Sequence, residues 1–462
     1  MKNCHTLDPT ILREYDIRGI VGDTLNVEDV RVIGRAFGTA VRREGGISVA
    51  VGYDGRLSSP ALEEAVVEGL IEAGMTVTRV GRGPSPMLYF ATHSLKTDAG
   101  MMITGSHNPP EYNGIKMVIG NRSFFGDDIQ ELGRIASTGD YESGTGEASD
   151  VPVFNDYVAR IGSDYRGDKK LKVAWDAGNG AAGEALVKLV ETLPGTHFLL
   201  NEIIDGTFPA HHPDPTVEKN LDQLKACVVE NGCDLGIGFD GDGDRIGIVD
   251  SQGRVLWGDQ IMVILAREVL ADLPGATIIA DVKASQVFFD EIARMGGNPV
   301  MWKTGHSLIK TKMKETNAPL AGEMSAHIFF KHRYYGYDDA LYTAVRLLSI
   351  LSQTEETLDD MRDAMPQMLN TPEIRFDCSE DRKFAIVDEV AERLESVSGI
   401  KVHDMDGVRV QSDDGWWLLR ASNTQAVLVA RCESKTTDGL ERLKAALTDQ
   451  LRKSGLEPPD LN

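Results

Sequence analysis

Short apolar runs alternate with amphipathic segments through most of the chain. Ile47–Val51 is the first clear apolar run, and a segment with helical periodicity follows it as far as Gly74, before the next apolar run at Thr76–Val80. Short apolar runs are typical of strands and longer periodic segments of helices, so this order predicts a strand–helix–strand unit. We place the N-cap of its helix at Ser59, because Pro60 follows directly.

The same order of elements recurs twice. The second unit consists of the predicted strand Leu171–Trp175, helix Glu184–Thr192 and strand Phe198–Leu200. The third consists of the predicted strand Thr277–Ala280, helix Gln286–Met295 and strand Pro299–Trp302. Three such units predict three related α/β domains with mixed sheets.

The C-terminal part has a different pattern. Its predicted strands are Glu373–Phe376, Gly407–Val410, Trp416–Leu419 and Ala426–Cys432, and its predicted helices are Phe384–Ser396 and Asp438–Leu451. This order predicts an α+β module. A chain of 462 residues is too long for one hydrophobic core, and Gly139–Asp150 has the composition of a linker. We therefore expect four domains, at 1–150, 151–253, 254–366 and 367–462.

Composition narrows the classes of function. The formal net charge of -23 argues against binding to nucleic acid or to an anionic membrane, since both repel a polyanion. No apolar run approaches the roughly 20 residues that span a bilayer, and the first ten residues do not resemble a signal peptide. We expect a cytoplasmic protein. Its cysteines are odd in number and widely spread, which favours reduced thiols.

An acidic loop, Asp240–Arg245, lies between two predicted strands. Asp240, Asp242 and Asp244 alternate with glycines, so the carboxylates can point inward as hard oxygen ligands for Mg²⁺ or Ca²⁺. The loop does not match an EF-hand, whose sixth and twelfth positions would here be Arg245 and Ser251 instead of Gly and Glu. Three carboxylates leave room for a phosphate oxygen, which favours Mg²⁺. The alternative is a solvated hairpin turn, since Asp-Gly is a common turn pair.

A second loop, Thr104–Pro109, follows the apolar run Gly100–Ile103. Ser106 lies in this turn beside His107, and a serine there could carry a phosphoryl group if a cation or base activated it. Lys116 is a nearby source of positive charge. The alternative is that Ser106 only stabilises the turn. Together, the two loops predict phosphoryl transfer through an enzyme-bound phosphoserine.

Three further polar loops are candidates for binding substrate, although each could also be an ordinary turn. Gly322–His327 groups an acid, a hydroxyl and an imidazole, a set suited to sugar hydroxyls. Arg420–Thr424 could surround a phosphate with a guanidinium and hydroxyls. His306 follows the last strand of the third unit, where ligands of α/β folds often bind, and could carry a proton.

A rival motif is present at Gly178–Gly183. Gly178, Gly180 and Gly183 satisfy the G-x-G-x-x-G pattern of dinucleotide-binding folds, with acids about 20 residues further on. However, the turn belongs to a unit that recurs twice without these glycines. We therefore favour a role for them in close packing.

Several of these segments resemble one known family. Glu14–Gly19, Thr104–Pro110, Asp240–Arg245, Gly322–His327 and Arg420–Thr424 occur in the order seen in α-D-phosphohexomutases, and the likeness spans nearly the whole chain. Within that family, Trp302–Lys310 and the Glu-Met-Ser loop are similar to the bacterial bifunctional phosphomannomutase/phosphoglucomutase group. The resemblance implies three related α/β domains and a mobile C-terminal α+β domain around a central active-site cleft.

The resemblance also implies roles for individual residues. Ser106 would be the phosphoserine and would hold Mg²⁺ together with Asp240, Asp242 and Asp244. Glu323 and Ser325 would bind sugar hydroxyls, and the distal phosphate would be bound by Arg420, Ser422, Asn423 and Thr424. The polar lining of the cleft would comprise Arg18, His107, Lys116, Arg245, Lys283, His306 and His327. Ala326 departs from the family, which usually has glycine there, and would change the loop if the position needs a positive φ.

The implied reaction is the interconversion of hexose 1-phosphates and 6-phosphates of mannose and glucose through a 1,6-bisphosphate. Glucose 1,6-bisphosphate would be the activator, and we expect a monomer or weak homodimer. Three alternatives stay open: a phosphoglucosamine mutase, a Mg²⁺-dependent sugar phosphatase and a noncatalytic sugar-phosphate binder.

Overall fold

The computed structural model describes residues 4–120, 122–423 and 425–461. Its first domain has these elements: β1 (Ile17–Ile20), α1 (Val27–Arg43), β2 (Ser48–Tyr53), α2 (Ser59–Glu72), β3 (Thr76–Arg82), α3 (Ser85–Ser94), β4 (Ala99–Ile103), β5 (Tyr112–Ile119), β6 (Arg122–Ser123), α4 (Asp127–Thr138) and β7 (Glu147–Asp150). The strand order is β1-β5-β4-β2-β3-β7, with β6 beside β5. Since β2 and β4 are parallel, the loops after them lie side by side at one sheet edge.

Two local predictions in this domain are wrong. The helix α2 begins at Ser59, so Ser58 is its N-cap residue, and the Ser59 hydroxyl instead donates a hydrogen bond to Asp54. The segment expected to be a linker contains β7, which pairs in parallel with β3. All four residues of β7 are exposed, so the strand depends on backbone pairing and has no apolar alternation to reveal it.

The second domain carries the acidic loop on an antiparallel hairpin. Its elements are α5 (Phe154–Gly162), β8 (Leu171–Asp176), α6 (Gly183–Val190), β9 (Gly195–Leu200), α7 (Asp222–Asn231), β10 (Leu235–Phe239), β11 (Ile246–Asp250) and β12 (Val255–Leu256). The strand order is β12-β11-β10-β8-β9, with β8, β9 and β10 parallel. The hairpin strands β10 and β11 are buried along their whole length, so the turn between them has a fixed position.

The third domain repeats the mixed arrangement. Its elements are α8 (Gly258–Asp272), β13 (Thr277–Asp281), α9 (Gln286–Arg294), β14 (Asn298–Trp302), α10 (His306–Thr316), β15 (Leu320–Gly322), β16 (Ile328–Phe330), β17 (Tyr337–Asp338), α11 (Ala340–Ser352) and α12 (Leu358–Asp363). The strand order is β14-β13-β15-β16-β17. One continuous apolar core joins this domain to the second domain and to α3 of the first.

The fourth domain is an antiparallel α+β unit, as predicted. Its elements are β18 (Leu369–Asn370), β19 (Ile374–Asp377), α13 (Glu380–Leu394), β20 (Lys401–His403), β21 (Val408–Ser412), β22 (Gly415–Ala421), β23 (Val427–Ser434) and α14 (Thr437–Lys453). It has its own core, and Trp416 and Leu418 pack against Val282 of the third domain. The fold is therefore three α/β domains with mixed sheets followed by one α+β domain.

The five cysteines are free thiols in the described residues, as predicted. Cys4 is exposed, and the other four are buried: Cys227, Cys233, Cys378 and Cys432. Among the described residues, no helix combines the length and apolarity needed to cross a membrane.

Candidate active site

Ser106 lies in a strained turn that an arginine holds in place. Its φ of +51° is in the left-handed region, which costs a non-glycine residue about 1–2 kcal/mol. The Arg56 guanidinium donates hydrogen bonds to the carbonyl oxygens of Ser106 and Asn108, at 2.8 and 2.5 Å. A Cβ at Gly105 would lie 2.1 Å from Arg56 Nε, so only glycine fits there. The Ser106 hydroxyl therefore has a fixed position.

The acidic loop forms a compact carboxylate cluster at the β10–β11 turn. Asp240, Asp242 and Asp244 are at most 1% exposed, and one carboxylate oxygen of each lies within 4.8 Å of the others. The backbone N–H groups of Asp244 and Arg245 donate to Asp240 Oδ1, at 3.0 and 3.1 Å. The solvated-turn alternative is therefore excluded.

The first domain supplies hydrogen-bond donors to this cluster. Asp242 Oδ2 accepts from Ser85 Oγ at 2.5 Å, Lys116 Nζ at 2.7 Å and Thr104 Oγ1 at 3.1 Å. Lys116 Nζ also lies 2.5 Å from Asp244 Oδ2. Burial alone would raise the pKa of Asp242, but the charge of Lys116 and the hydrogen bonds from Lys116 and Ser85 outweigh it and hold that pKa well below its usual range.

The cluster fits a divalent cation. Burial, with the charges of Asp242 and Asp244, raises the pKa of Asp240 well above its usual value, so the cluster crowds more negative charge into a buried place than Lys116 offsets. Within the described residues, Asp242 Oδ1 and Asp244 Oδ1 are buried without a hydrogen-bond donor. Ser106 Oγ lies 3.4 Å from Asp240 Oδ2, so a group on that serine would face the same point. Buried, hard oxygen donors are the ligands that Mg²⁺ prefers.

Lys116 retains its proton in this environment. Burial alone would lower the pKa of its ammonium group, but Asp242 and Asp244 more than compensate and raise that pKa well above its usual value. Lys116 is therefore a fixed positive charge at the cluster, and it is not available as a base.

Two of the predicted histidines, His107 and His306, are neutral. His107 Nδ1 lies 3.2 Å from Ser106 Oγ, and burial, with a contribution from Arg245, holds the pKa of His107 well below its usual value. His306 is the first residue of α10, and burial together with Lys310 lowers its pKa in the same way. Both imidazoles can therefore accept a proton at neutral pH.

His327 is oriented by two neighbours. Arg245 Nε lies 2.9 Å from His327 Nε2, and His327 Nδ1 lies 3.0 Å from Asp338 Oδ2. A guanidinium can only donate, so His327 Nε2 accepts its hydrogen bond, and Nδ1 is the ring nitrogen left to carry a proton. Asp244, His327 and Asp338 also lie close enough together to suggest a second cation site. A proton on His327 Nδ1 argues against a second cation site, because a metal ion would need the lone pair of that nitrogen.

The predicted sugar loop is a buried turn between β15 and β16. Glu323 Oε1 accepts a hydrogen bond from the Gly305 backbone N–H at 2.7 Å, which ties this loop to the start of α10. Ser325 is half-buried in the turn. Ala326 has a φ of +65°, a conformation that favours glycine. The position therefore has the positive φ at which we expected alanine, in place of glycine, to change the loop.

The predicted phosphate loop joins three domains. Arg420 is near the end of β22, and its Nη2 lies 3.2 Å from Asp406 Oδ1. Asn423 Nδ2 donates to the Tyr15 hydroxyl at 2.7 Å, and that hydroxyl donates to the Thr304 carbonyl oxygen at 3.1 Å. The fourth domain therefore contacts the first and third at this loop.

The remaining predicted residues are distributed around these groups. Arg18 is buried in β1 and lies near His107 and Asp242, both of whose pKa values it lowers. Lys283 follows β13, and its Nζ lies 3.0 Å from Glu373 Oε2, where the third domain contacts the fourth. Ser422 is buried beside Asn423, whereas Thr424 lies outside the described residues.

The structure therefore gathers most of the predicted residues into two groups, with Arg18, Lys283, His306, Glu323 and Ser325 placed as described above. The first surrounds Ser106 and contains His107, Lys116, Asp240, Asp242, Asp244, Arg245 and His327. The second surrounds Arg420, with Ser422 and Asn423. Sequence reasoning missed five buried or half-buried partners: Tyr15, Arg56, Ser85, Asp338 and Asp406. Only Tyr15, which lies in the Glu14–Gly19 segment, and Arg56, which lies in the loop after β2, gave a positional signal.

The glycines of the G-x-G-x-x-G segment serve close packing, as predicted. A Cβ at Gly180 would lie 2.9 Å from the Gly241 carbonyl oxygen, and a Cβ at Gly183 would lie 2.0 Å from that of Glu202. The Ala181 N–H also donates to the Gly241 carbonyl oxygen at 2.9 Å. This turn supports the acidic loop directly.

A fold of three α/β domains and one α+β domain, with a serine facing a carboxylate cluster, defines a class of phosphoryl-transfer enzyme. The four domain models of phosphoglucomutase/phosphomannomutase match this chain: domain I at residues 9–142, domain II at 153–253, domain III at 257–369 and the C-terminal domain at 373–450.

Similar proteins agree with these models. The chain is 45% identical over 447 residues to a phosphomannomutase/phosphoglucomutase of Pseudomonas aeruginosa, covering 97% of this chain and 96% of the relative. It is 40% identical over 437 residues to a phosphoglucomutase of Neisseria meningitidis, covering 94% and 95%. A crystal structure of a phosphoglucomutase/phosphomannomutase family protein from Burkholderia thailandensis matches with a TM-score of 0.92 at 40% identity, covering 99% of each chain.

The chain therefore belongs to the phosphoglucomutase/phosphomannomutase family. Its class of reaction is that of an isomerase, the intramolecular transfer of a phosphoryl group within a hexose phosphate.

Proposed function

We propose that this protein interconverts the 1-phosphates and 6-phosphates of mannose and glucose through a phosphoserine at Ser106. The observation that carries the proposal is the position of Ser106 Oγ, 3.4 Å from Asp240 Oδ2 at a buried carboxylate cluster. A phosphoryl group on this oxygen would adjoin the ammonium of Lys116, which lies against the other two aspartates. Positive charge held at this point stabilises a transferring phosphoryl group.

The transfer breaks the bond between phosphorus and Ser106 Oγ and forms a bond between phosphorus and a free sugar hydroxyl oxygen. The hydroxyl proton passes to a base. We assign this role to His306, because Lys116 keeps its proton, whereas His306 is neutral. The product of the first transfer is a 1,6-bisphosphate, and glucose 1,6-bisphosphate would activate the enzyme by phosphorylating Ser106.

Mg²⁺ would be held by Asp240, Asp242, Asp244 and an oxygen of the phosphorylated serine. It supplies charge neutralisation for the phosphoryl group when bound. The carboxylates need this charge, because Lys116 alone leaves the cluster negative. We propose this role for Mg²⁺ because the open oxygens Asp242 Oδ1 and Asp244 Oδ1 match its preference for oxygen ligands.

The second group of residues would bind the other end of the substrate. Arg420, Ser422, Asn423 and Thr424 would bind the distal phosphate, and Glu323 and Ser325 would bind the sugar hydroxyls, with Arg18, His107, Arg245 and Lys283 lining the cleft between them. The bisphosphate must then turn around to present its other phosphate to Ser106. The contacts of Tyr15 with Asn423 and Thr304 would have to open and close during that step.

We further propose domain boundaries near residues 150, 253 and 366, a monomer or weak homodimer, and a cytoplasmic location. The net charge of -23 supports a protein that stays away from nucleic acid and anionic membranes.

The test is conversion of glucose 1-phosphate and of mannose 1-phosphate to their 6-phosphates, with Mg²⁺ and a trace of glucose 1,6-bisphosphate. We expect turnover of both sugars by the wild type and none by Ser106→Ala. Ser349→Ala is the matched control, because Ser349 is equally buried but belongs to α11 and bonds to Arg166. Turnover by Ser106→Ala, or release of inorganic phosphate in place of an isomer, would contradict the proposal and favour the phosphatase. Preference for glucosamine 1-phosphate would favour the phosphoglucosamine mutase.

A further inference from the structure

The acidic loop of the second domain rests on the first residue of a helix in the first domain. Ser85 is the first residue of α3, and it is completely buried. Its Oγ donates a hydrogen bond to Asp242 Oδ2 at 2.5 Å, and its backbone N–H donates to the Asp242 carbonyl oxygen at 2.8 Å. A Cβ on Gly243 would lie 2.9 Å from the Cβ of Pro84. The two domains therefore meet closely at the loop that carries the carboxylates.

The hydrogen bonds divide the two oxygens of Asp242 into different roles. Oδ2 accepts from Ser85, Lys116 and Thr104, so its capacity as an acceptor is used. Oδ1 is buried and has no donor among the described residues. The carboxylate is thus fixed in rotation, with one oxygen anchored to the first domain and the other free for a cation.

We infer that Ser85 is a positioning residue of the cation site, and that its hydrogen bond couples cation affinity to the docking of the first domain on the second. This rests on the proposed function, since it takes Asp240, Asp242 and Asp244 as the cation ligands. Ser85 touches neither cation nor substrate. It acts through Asp242, because partners that orient a ligand contribute to the affinity of the site.

Ser85 isolates this effect better than the other two donors. Lys116 carries charge and also contacts Asp244, so its removal changes the electrostatics of the whole cluster. Thr104 Oγ1 also accepts the backbone N–H of Ser106, so its removal disturbs the serine loop. Among the described residues, the Ser85 hydroxyl hydrogen-bonds to Asp242 alone.

The chain contains a matched control. Ser59 is also fully buried, begins a helix, precedes a proline and donates to a buried aspartate, Asp54, at 2.5 Å. Loss of either hydroxyl leaves a buried carboxylate short of one donor, and loss of the Ser59 hydroxyl also removes the acceptor of Asn113 Nδ2 at 2.9 Å, so Ser59→Ala should be destabilised at least as much as Ser85→Ala. Of these two serines, Ser85 donates to a member of the carboxylate cluster and Ser59 does not.

The experiment is calorimetric titration of the unphosphorylated full chain with Mg²⁺. We expect Ser85→Ala to raise the dissociation constant by about 10-fold to 100-fold, in line with other ligand-orienting partners. Ser59→Ala should stay within about twofold of the wild type, and Ser85→Thr, which restores a hydroxyl, should regain most of the affinity. The increase in Tm on adding Mg²⁺ should shrink in Ser85→Ala and not in Ser59→Ala, because a weaker ligand stabilises less.

An unchanged dissociation constant in Ser85→Ala would overturn the inference, whatever happened to its Tm. Equal weakening in Ser85→Ala and Ser59→Ala would also overturn it, since that would reflect general loosening. If Ser85→Ala does not fold, Ser85→Cys, which keeps a weak donor, takes its place and must show an intermediate affinity. Failure of the wild type itself to bind Mg²⁺, or binding unaffected by Asp242→Ala, would instead refute the cation site of the proposed function.

Discussion

Removal of the Lys116 ammonium group should make the folding of this protein depend on a divalent cation. Lys116→Met keeps the length and apolar stem of the side chain and deletes the charge that lies 2.7 Å from Asp242 Oδ2 and 2.5 Å from Asp244 Oδ2. Breaking a buried ion pair by removing one partner costs about 3–5 kcal/mol, because the remaining charges stay buried and uncompensated. In EDTA, the Tm should therefore fall by about 3–5 °C, because the unfolding entropy of 462 residues is about 1 kcal/mol/K.

Mg²⁺ should restore part of this loss. A cation at 100 times its dissociation constant stabilises the folded state by about 2.7 kcal/mol, and the more negative cluster of Lys116→Met should bind it more tightly than the wild type does. The increase in Tm on adding Mg²⁺ should thus be larger in the variant. Mutase turnover should stay at least about 100-fold low even with Mg²⁺, because a fixed charge beside the transferring group is missing.

Scanning calorimetry in EDTA and in saturating Mg²⁺ measures both effects. Lys188→Met is the control, since Lys188 pairs with Glu191 on the exposed face of α6, where such pairs contribute less than about 1 kcal/mol. A Tm of Lys116→Met in EDTA within about 2 °C of the wild type would refute the reasoning, as would an increase with Mg²⁺ no larger than that of the wild type.

Three further predictions follow from buried or strained groups. Ala326→Gly should raise the free energy of unfolding, measured by urea denaturation, by about 0.5–1 kcal/mol. Glycine adopts the left-handed conformation without strain, and this gain exceeds its larger loss of backbone entropy. A lower free energy of unfolding would contradict this. As the pH falls below about 6.5, His306 takes up a proton in the unfolded chain but not in the folded protein, where burial lowers its pKa. The free energy of unfolding should therefore fall by up to about 1.4 kcal/mol per pH unit. In His306→Asn, the free energy of unfolding should depend less steeply on pH. Gly183→Ala should lower the free energy of unfolding by at least about 2 kcal/mol, because its Cβ would lie 2.0 Å from the Glu202 carbonyl oxygen; an unchanged Tm would contradict the packing role.

The alternation of apolar runs and periodic segments was enough to predict the four-domain fold. The strands β2, β8 and β13 coincide with the apolar runs at Ile47, Leu171 and Thr277 to within a residue or two, because burial of a strand requires those side chains. The strand β7 was missed for the opposite reason, since all its side chains are exposed and its stability comes from backbone pairing with β3.

The two reactive loops were also visible in the sequence. Ser106, Asp240, Asp242 and Asp244 are local motifs, in which the spacing of side chains within one turn already suggests the chemistry. The type of fold, the carboxylate cluster and the candidate phosphoserine could thus all be predicted from local sequence.

The contacts between these motifs, in contrast, depend on how the domains pack. Ser85 meets Asp242 across 157 positions of sequence, and Tyr15 meets Asn423 across 408. Neither periodicity nor local motifs can reveal such pairs, because the contacts form only when the folded domains pack together. The protonation states of Lys116 and His306 were undecided for the same reason, since a pKa depends on burial and on charges that only the fold brings near.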